Sequence, residues 1–146
     1  MALERTRAFY WDSSALLIAL LPDARRDKAV AWSRLPGTHL ISTLTWAEVL
    51  SVISRYRRER KAPPSVADGA REEIGQEPWR RLSDPPDWLI LRDLASKWIL
   101  TGSDLWHLAL AKTLQQDRPE LRLLSFDARL SKAAAGEGLA VPVTPT

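Results

Sequence analysis

AFYWDSSALLIAL, residues 8–20 of the 146-residue chain, is the stretch that decides the fold class. Its first four residues are uncharged and three of them are aromatic, which predicts a short buried strand that ends at Asp12. Ser13 and Ser14 then open an apolar helix that we predict over residues 15–21. A buried strand that runs directly into a helix is typical of the layered α/β folds.

The rest of the chain continues this alternation of strands and helices. Further strands are predicted over residues 39–42, 121–126 and 139–143. Helices are predicted over residues 24–35, 45–60, 65–79, 88–100, 102 to just before Pro119, and 128–135. We therefore expect a single α/β domain over residues 5–143, with a short, mostly parallel sheet flanked by helices.

The composition excludes several classes of protein. With 45% apolar residues, a chain of this length can bury a core without a covalent or metal staple. Cysteine is absent, which excludes disulfides, thiolate metal sites and cysteine nucleophiles, and fits a reducing compartment. The longest apolar run, residues 15–21, is far too short to span a bilayer, and no secretion signal precedes it. We expect a cytoplasmic protein with no membrane partner.

Positive charge is concentrated in one segment. The net charge of the chain is +3, but the segment that carries Arg55, Arg57, Arg58, Arg60 and Lys61 has a net charge of +4 and the rest sums to −1. Such a segment suits a polyanion such as RNA, because binding releases counterions. The alternative interpretation is a solvated helix end, where basic side chains are favoured by the helix dipole.

Four acidic residues occupy the positions where an α/β fold places its chemistry. Asp12 and Asp127 each follow a predicted strand, Asp104 lies at a helix start, and Glu48 lies early in another helix. The carboxyl ends of parallel strands meet at one edge of the sheet, where open α/β folds bind their ligands. We therefore expect the four carboxylates to converge there.

Each of these acids also has a structural explanation. An aspartate at a helix start caps free backbone N–H groups, and Thr45-Trp46-Ala47-Glu48 matches a capping box. Capping does not explain convergence, because like charges that meet repel one another and raise one another's pKa. A bound divalent cation removes that repulsion, and oxygen ligands without thiolates select Mg²⁺ or Mn²⁺.

Four segments, in order along almost the whole chain, resemble the motifs of the PIN-domain family of ribonucleases. YWDSSAL at residues 10–16 is similar to the opening motif, a hydrophobic strand followed by Asp, a hydroxyl residue and Ser-Ala-Leu. TWAEV at residues 45–49 resembles the second motif, and SDLWHLA at residues 103–109 resembles the third. LSFDARL at residues 124–130, with the small residues that follow, is similar to the fourth motif and the tail of the family.

The resemblance implies a ribonuclease in which Asp12, Glu48, Asp104 and Asp127 hold one or two Mg²⁺ or Mn²⁺ ions around the scissile phosphate. The ions would activate a water molecule and stabilise the developing negative charge. Glu48 is expected either to bind the second ion or to orient the attacking water. Small PIN proteins of this length resemble the VapC toxins of bacterial toxin–antitoxin pairs, which implies an RNA substrate, a cognate antitoxin whose tail blocks the acidic site, and a homodimer.

Three neighbouring polar residues have supporting interpretations. Ser125 stands where many relatives have Thr and keeps the hydroxyl group, so we expect it to keep the hydrogen bond of that hydroxyl. Ser13 is expected to cap the helix that follows it, in preference to contacting a metal-bound water. His107, one turn after Asp104, is interpreted as a packed, hydrogen-bonded core histidine.

Other functions remain open at this point. A PIN nuclease devoted to RNA processing would carry the same acids without a toxin role. A catalytically silent PIN-like module that binds RNA or protein could have lost these acids, yet all four are present. A phosphatase of the haloacid-dehalogenase type also places an aspartate after its first strand. Such a phosphatase needs a second aspartate two residues later, where this chain has Ser14.

Overall fold

The computed structural model describes residues 7–141, so the predicted domain limits of 5–143 extend past the described residues at both ends. Four strands and seven helices lie within the described part of the chain. The strands are β1 (Ala8–Trp11), β2 (Thr38–Ile41), β3 (Trp79–Arg81) and β4 (Leu121–Leu124). The helices are α1 (Ser13–Leu20), α2 (Arg26–Ser33), α3 (Thr43–Arg58), α4 (Pro64–Glu73), α5 (Trp88–Lys97), α6 (Gly102–Gln115) and α7 (Ala128–Gly136).

The strands form one parallel sheet in the order β3-β2-β1-β4. β1 lies inside the sheet and pairs with β2 on one side and with β4 on the other. All four residues of β1 are buried, as expected for a parallel strand that is covered by helices on both faces. The predicted α/β class with a short parallel sheet is confirmed.

Side chains of β1 alternate between two hydrophobic cores, one on each face of the sheet. Phe9 and Trp11 pack in one core together with apolar residues of α1, α3 and α4. Ala8 and Tyr10 pack in the other with residues of α6 and α7. Because successive strand residues point to opposite faces, four residues are enough to anchor both layers. No helix within the described residues is long and apolar enough to cross a membrane.

One strand was missed. The predicted helix over residues 65–79 ends at Glu73 as α4, and residues 79–81 form β3 at the edge of the sheet. Arg80 and Arg81 are exposed. An exposed edge strand of three residues with two arginines carries none of the apolar signal that identifies a buried strand.

The predicted last strand is also wrong within the described residues. Residues 139–141 form no strand, and 142 and 143 lie outside the described part of the chain. Leu139 nevertheless contacts the sheet, since its carbonyl accepts a hydrogen bond of 2.9 Å from the backbone N–H of Leu123.

Candidate active site

Asp12 follows β1 directly and caps α1. Only 2% of the residue is exposed, and its Oδ1 atom accepts a hydrogen bond of 2.8 Å from the backbone N–H of Ala15. Burial raises the pKa of Asp12, while hydrogen bonds from Ser125, Ala15 and Ser14 oppose that rise. The carboxylate is therefore held by fixed donors in a place that water barely reaches.

Two serines connect Asp12 to the turn between β4 and α7. Ser125 Oγ donates to Asp12 Oδ2 and accepts a hydrogen bond of 3.0 Å from the backbone N–H of Asp127. Ser14 Oγ donates to Asp12 Oδ1 at 2.8 Å and accepts one of 2.9 Å from the backbone N–H of Phe126. The two hydroxyl groups thus fix the position of Asp12 relative to Asp127. The expectation that Ser125 uses its hydroxyl for a hydrogen bond agrees with this geometry.

Ser14 was not predicted as a supporting residue of the site, whereas its neighbour Ser13 was. Ser13 does not cap α1, because Asp12 is the N-cap and Ser13 is the first helical residue. Within residues 7–141 the Ser13 hydroxyl has no hydrogen-bond partner. Ser14 carries little signal in the sequence, since a hydroxyl in the first turn of a helix ordinarily bonds to the local backbone.

Glu48 lies in the second turn of α3, and the predicted capping box is wrong. The N-cap is Ser42, whose Oγ accepts a hydrogen bond of 3.1 Å from the backbone N–H of Thr45. The helix therefore begins before Thr45, whose hydroxyl donates instead to the carbonyl of Trp11 at 2.8 Å. The side chain of Glu48 is consequently not needed to cap its own helix.

Glu48 is hydrogen-bonded to a buried histidine. His107 is 1% exposed, and its Nε2 atom lies 2.7 Å from Glu48 Oε1. The other ring nitrogen, Nδ1, lies 2.5 Å from the hydroxyl of Tyr10. Burial raises the pKa of Tyr10 well above its usual range, so the phenol keeps its proton. The interpretation of His107 as a packed, hydrogen-bonded histidine agrees with the structure, but its acidic partner was not foreseen.

Asp104 is not the cap of its helix. Thr101 is the N-cap of α6, and its Oγ1 atom accepts a hydrogen bond of 3.2 Å from the backbone N–H of Asp104. Partial burial raises the pKa of Asp104, and the negative charge of Asp127 raises it further, with a smaller contribution from Glu48. These carboxylates are therefore close enough to repel one another.

Asp127 does cap a helix. Its Oδ1 atom accepts a hydrogen bond of 2.9 Å from the backbone N–H of Leu130 in the first turn of α7. Because β1 and β4 are adjacent and parallel, Asp12 and Asp127 lie at the same edge of the sheet. The structure thus gathers acids from the ends of two strands and from α3 and α6 at one region of the surface.

The donor set fits a hard divalent cation. All four acids offer carboxylate oxygens, and the mutual repulsion at Asp104 is what a cation would relieve. Three donors, from Ser14, Ala15 and Ser125, occupy Asp12, which leaves about one of its four lone-pair positions for a cation. Among residues 7–141, no group of three or more acidic, histidine or cysteine side chains forms a ready-made cage. An ion would therefore be held partly through water, as Mg²⁺ commonly is.

Comparison with known proteins identifies the family. The sequence profile of the PIN domain matches residues 9–136. The chain belongs to the PIN domain family. No curated protein sequence matches it significantly.

Solved structures share the fold of this PIN domain at low sequence identity. VapC20 (Rv2549c) of Mycobacterium tuberculosis, described as a Sarcin-Ricin loop cleaving toxin, has a TM-score of 0.61 at 16% identity, covering 94% of this chain and 99% of VapC20. PAE2754 of Pyrobaculum aerophilum also has a TM-score of 0.61, at 22% identity, covering 90% of this chain and 82% of PAE2754. VapBC2 of Rickettsia felis, bound to a DNA fragment from its promoter, has a TM-score of 0.54 at 14% identity, covering 82% of this chain and 99% of the matched chain.

A groove adjoins the acidic region of this PIN domain. It has a volume of about 340 Å³ and runs between α1 and α3. Ser14 and Asp127 line it together with Val52 and Tyr56 of α3. The remaining lining residues are mostly apolar, with an Asp23–Arg25 ion pair of 3.0 Å among them. The groove therefore offers a partly apolar channel that ends at the carboxylate of Asp127.

The basic segment of this PIN domain is only partly available to a polyanion. Arg57 pairs with Asp68 of α4 at 2.9 Å, and Lys61 pairs with Glu59 at 3.2 Å. Arg55 lies two helical turns after Glu48 on α3, about 10 Å along the axis and on the same helical face. Of the predicted RNA-binding residues, Arg55 is therefore the one that shares a helix face with a site carboxylate.

Proposed function

We propose that this PIN domain is a Mg²⁺- or Mn²⁺-dependent ribonuclease and the toxin of a toxin–antitoxin pair. The observation that carries the proposal is the raised pKa of Asp104, caused by partial burial and by the charges of Asp127 and Glu48, with Asp12 and Asp127 following two adjacent parallel strands. Family membership supports a nuclease, and the fold shared with VapC20, a Sarcin-Ricin loop cleaving toxin, supports RNA as the substrate and a toxin role.

The four acids divide into two roles in phosphodiester hydrolysis. Asp12, fixed by its serines, would hold the cation together with Asp104 and Asp127, directly or through water. A bound divalent cation lowers the pKa of a water molecule and stabilises the negative charge that develops on the phosphate. Glu48, with one oxygen occupied by His107, would have its other oxygen available to hold a second ion or to orient the attacking water.

Replacement of Asp104 by Asn tests the metal-dependent step. Thr101 supplies the helix cap, so Asp104→Asn removes the charge without removing the cap. We expect RNA cleavage in Mg²⁺ or Mn²⁺ that stops with chelator and is lost in Asp104→Asn. Its thermal stability in chelator should be unchanged or higher, because one repulsive charge is gone. Stabilisation by added Mn²⁺ should shrink, since ligand stabilisation follows affinity.

The matched control is Asp93→Asn, which neutralises an exposed acid paired with Arg92 on α5. This variant should cut RNA like the wild type. Full cleavage in excess chelator by protein free of contaminating nuclease, or cleavage by Asp104→Asn at the wild-type rate, would contradict the proposal.

The antitoxin is proposed to cover the acidic region through its tail. The apolar groove between α1 and α3 ends at Asp127 and Ser14, so it suits an apolar segment followed by a basic side chain. The VapBC2 structure, which shares the fold, supports a partner of this kind. A second copy of the chain completes the proposed assembly, and the exposed Trp88 and Ile99 beside α5 suit such an interface.

Growth assays separate the toxin role from the RNA-processing alternative. Induced expression in a bacterial host should arrest growth, and co-expression of the cognate antitoxin should relieve it. Asp104→Asn should be harmless. An active nuclease that leaves growth unaffected would favour RNA processing, and light scattering would show whether the purified chain is a dimer.

A further inference from the structure

A line of buried hydrogen bonds leads from the core to Glu48. Thr45 donates its hydroxyl hydrogen to the carbonyl of Trp11 at 2.8 Å and its backbone N–H to Ser42 Oγ at 3.1 Å. Ser42 Oγ lies 2.7 Å from the Tyr10 hydroxyl, which in turn lies 2.5 Å from Nδ1 of His107. The four side chains of Tyr10, Ser42, Thr45 and His107 belong to residues that are at most 2% exposed.

The chemistry of these groups determines which atom is the donor in each hydrogen bond of this line. An ionised carboxylate only accepts hydrogen bonds, so the contact of 2.7 Å requires a hydrogen on Nε2 of His107 that points to Glu48. In the neutral ring, Nδ1 is then an acceptor, and the Tyr10 hydroxyl is the donor next to it. The single hydroxyl hydrogen of Ser42, whose Oγ atom also lies 3.3 Å from Thr45 Oγ1, points to the Tyr10 hydroxyl at 2.7 Å and completes the line. Every hydrogen has a partner in this arrangement.

We propose that His107, held by Tyr10 and Ser42, is a positioning residue that fixes Glu48 for cation binding. This inference rests on the proposed cation-dependent nuclease. His107 belongs to α6 and Glu48 to α3, so their hydrogen bond also joins two helices that carry site acids.

Positioning matters at Glu48 because its side chain is long and partly exposed. Its exposed fraction is 30%, against 1% for His107, and within residues 7–141 it has no other hydrogen-bond donor. A free glutamate side chain loses rotamer freedom when it binds an ion. With one oxygen already held, Glu48 loses less freedom on binding, and removal of such outer partners weakens metal affinity or activity by roughly 10–100-fold.

Direct measurement of Mn²⁺ binding tests the role of His107. By isothermal titration calorimetry without RNA, His107→Ala should bind Mn²⁺ about 10–100-fold more weakly than the wild type. His107→Gln should lose much less, because its amide N–H can replace Nε2–H. In cleavage assays, the Mn²⁺ concentration for half-maximal rate should rise in His107→Ala while the rate at saturating Mn²⁺ stays close to that of the wild type.

A second variant tests the line of hydrogen bonds without touching the histidine. Tyr10→Phe removes only the hydroxyl that donates to Nδ1 and keeps the buried ring. The ring of His107 is then free to place its hydrogen on either nitrogen, so Mn²⁺ binding should weaken to a degree between His107→Gln and His107→Ala. This variant keeps the proposal testable if His107→Ala fails to fold.

The matched control is the other histidine. His39 is 2% exposed, accepts a hydrogen bond of 3.0 Å from Trp11 Nε1, and has its Nε2 2.8 Å from the carbonyl of Leu35. His39→Ala should lower thermal stability and leave the dissociation constant for Mn²⁺ unchanged. If His107→Ala, His107→Gln and Tyr10→Phe all behave like this control, His107 only packs and the inference is wrong.

The same measurements distinguish this failure from failure of the proposed function. A wild-type protein that neither binds Mn²⁺ nor needs a divalent cation to cut RNA would overturn both. A cation-dependent wild type whose His107 and Tyr10 variants bind Mn²⁺ normally would overturn the positioning role and leave the nuclease intact.

Discussion

Replacement of Ser14 by Ala tests whether its hydroxyl holds the carboxylate of Asp12 against the turn that carries Asp127. Ser14 donates to the buried carboxylate of Asp12 and accepts the backbone N–H of Phe126. The variant removes a hydrogen bond to a charged group, worth about 1.5–3 kcal/mol, and leaves a partly buried N–H unpaired, at a cost of about 1–3 kcal/mol. Because the two losses share one hydroxyl, we expect about 2–5 kcal/mol of destabilisation at neutral pH.

Thermal unfolding in chelator, followed by circular dichroism, gives the measurement. For a chain of this size each kcal/mol lowers Tm by about 2–4 °C, so Ser14→Ala should melt roughly 4–20 °C below the wild type. Cleavage of RNA should also fall, because Asp12 and the turn that carries Asp127 lose one of their two hydroxyl links.

The effect should depend on pH in a defined direction. Burial raises the pKa of Asp12, so ionised Asp12 destabilises the folded state, and stability is lost as pH rises from the unfolded value through the folded one. Ser14 moderates this loss by favouring the ionised form. The difference between Ser14→Ala and the wild type should therefore grow as pH rises through that window and shrink in acid.

Ser13→Ala is the matched control, since it removes the adjacent hydroxyl, which has no partner within residues 7–141. It should change stability by less than about 0.5 kcal/mol. Equal losses in the two variants, or a Ser14→Ala protein that melts within a degree of the wild type, would refute the role assigned to Ser14.

Three further predictions follow from other parts of the molecule. Burial lowers the pKa of His39, so the free energy of unfolding should fall as pH drops below about 6.5, by at most about 1.4 kcal/mol per pH unit. His39→Gln should remove that part of the loss in denaturant titrations, and a variant with the same loss of stability in acid as the wild type would contradict the prediction. Arg55→Gln should weaken RNA binding and lower the slope of log affinity against log salt concentration by about one ion. Arg57 already has an acidic partner on α4, so Arg57→Gln should change that slope less. Equal slopes in the two variants would favour the interpretation of the segment as a solvated helix end. Gly136→Ala should destabilise the fold by about 1–3 kcal/mol, because a Cβ atom there would lie 2.5 Å from the indole ring of Trp98. A Cβ atom at Gly102 would meet nothing within 4 Å, so Gly102→Ala should be tolerated in the same melting assay.

The sequence predicted the fold class because β1 carries an unusually clear signal. In β1, four consecutive buried residues are followed by Asp12 and an apolar helix, a pattern that fits few fold classes other than α/β. The alternation of strands and helices along the chain then indicates parallel strands. β3 could not be found in the same way. Its pairing with β2 stabilises three residues whose own side chains are mostly exposed.

The positions of the four acids could be predicted, but their partners could not. Strand ends and helix starts are visible in a sequence, whereas the hydrogen bonds of Ser14 and His107 join residues 112 and 59 positions apart. Capping was predicted wrongly at Ser13 and in the segment before Glu48 for a related reason. Several residues with capping side chains lie near each helix start, and which of them becomes the N-cap depends on where the preceding strand ends.

A capping role and the proposed catalytic role are compatible at Asp12 and Asp127. Each uses Oδ1 to accept a backbone N–H in the first turn of a helix, which fixes the carboxylate and places it next to the positive end of the helix dipole. Those favourable interactions offset part of the repulsion among the acids and allow them to stay close in the apo protein. Asp104 and Glu48 accept no capping bond, so in the proposed site a cation would hold Asp104 and His107 would hold Glu48. Asp12 and Asp127, which are held by capping bonds, therefore anchor the proposed site. Asp104 and Glu48, which are held less firmly, should change conformation most when an ion binds.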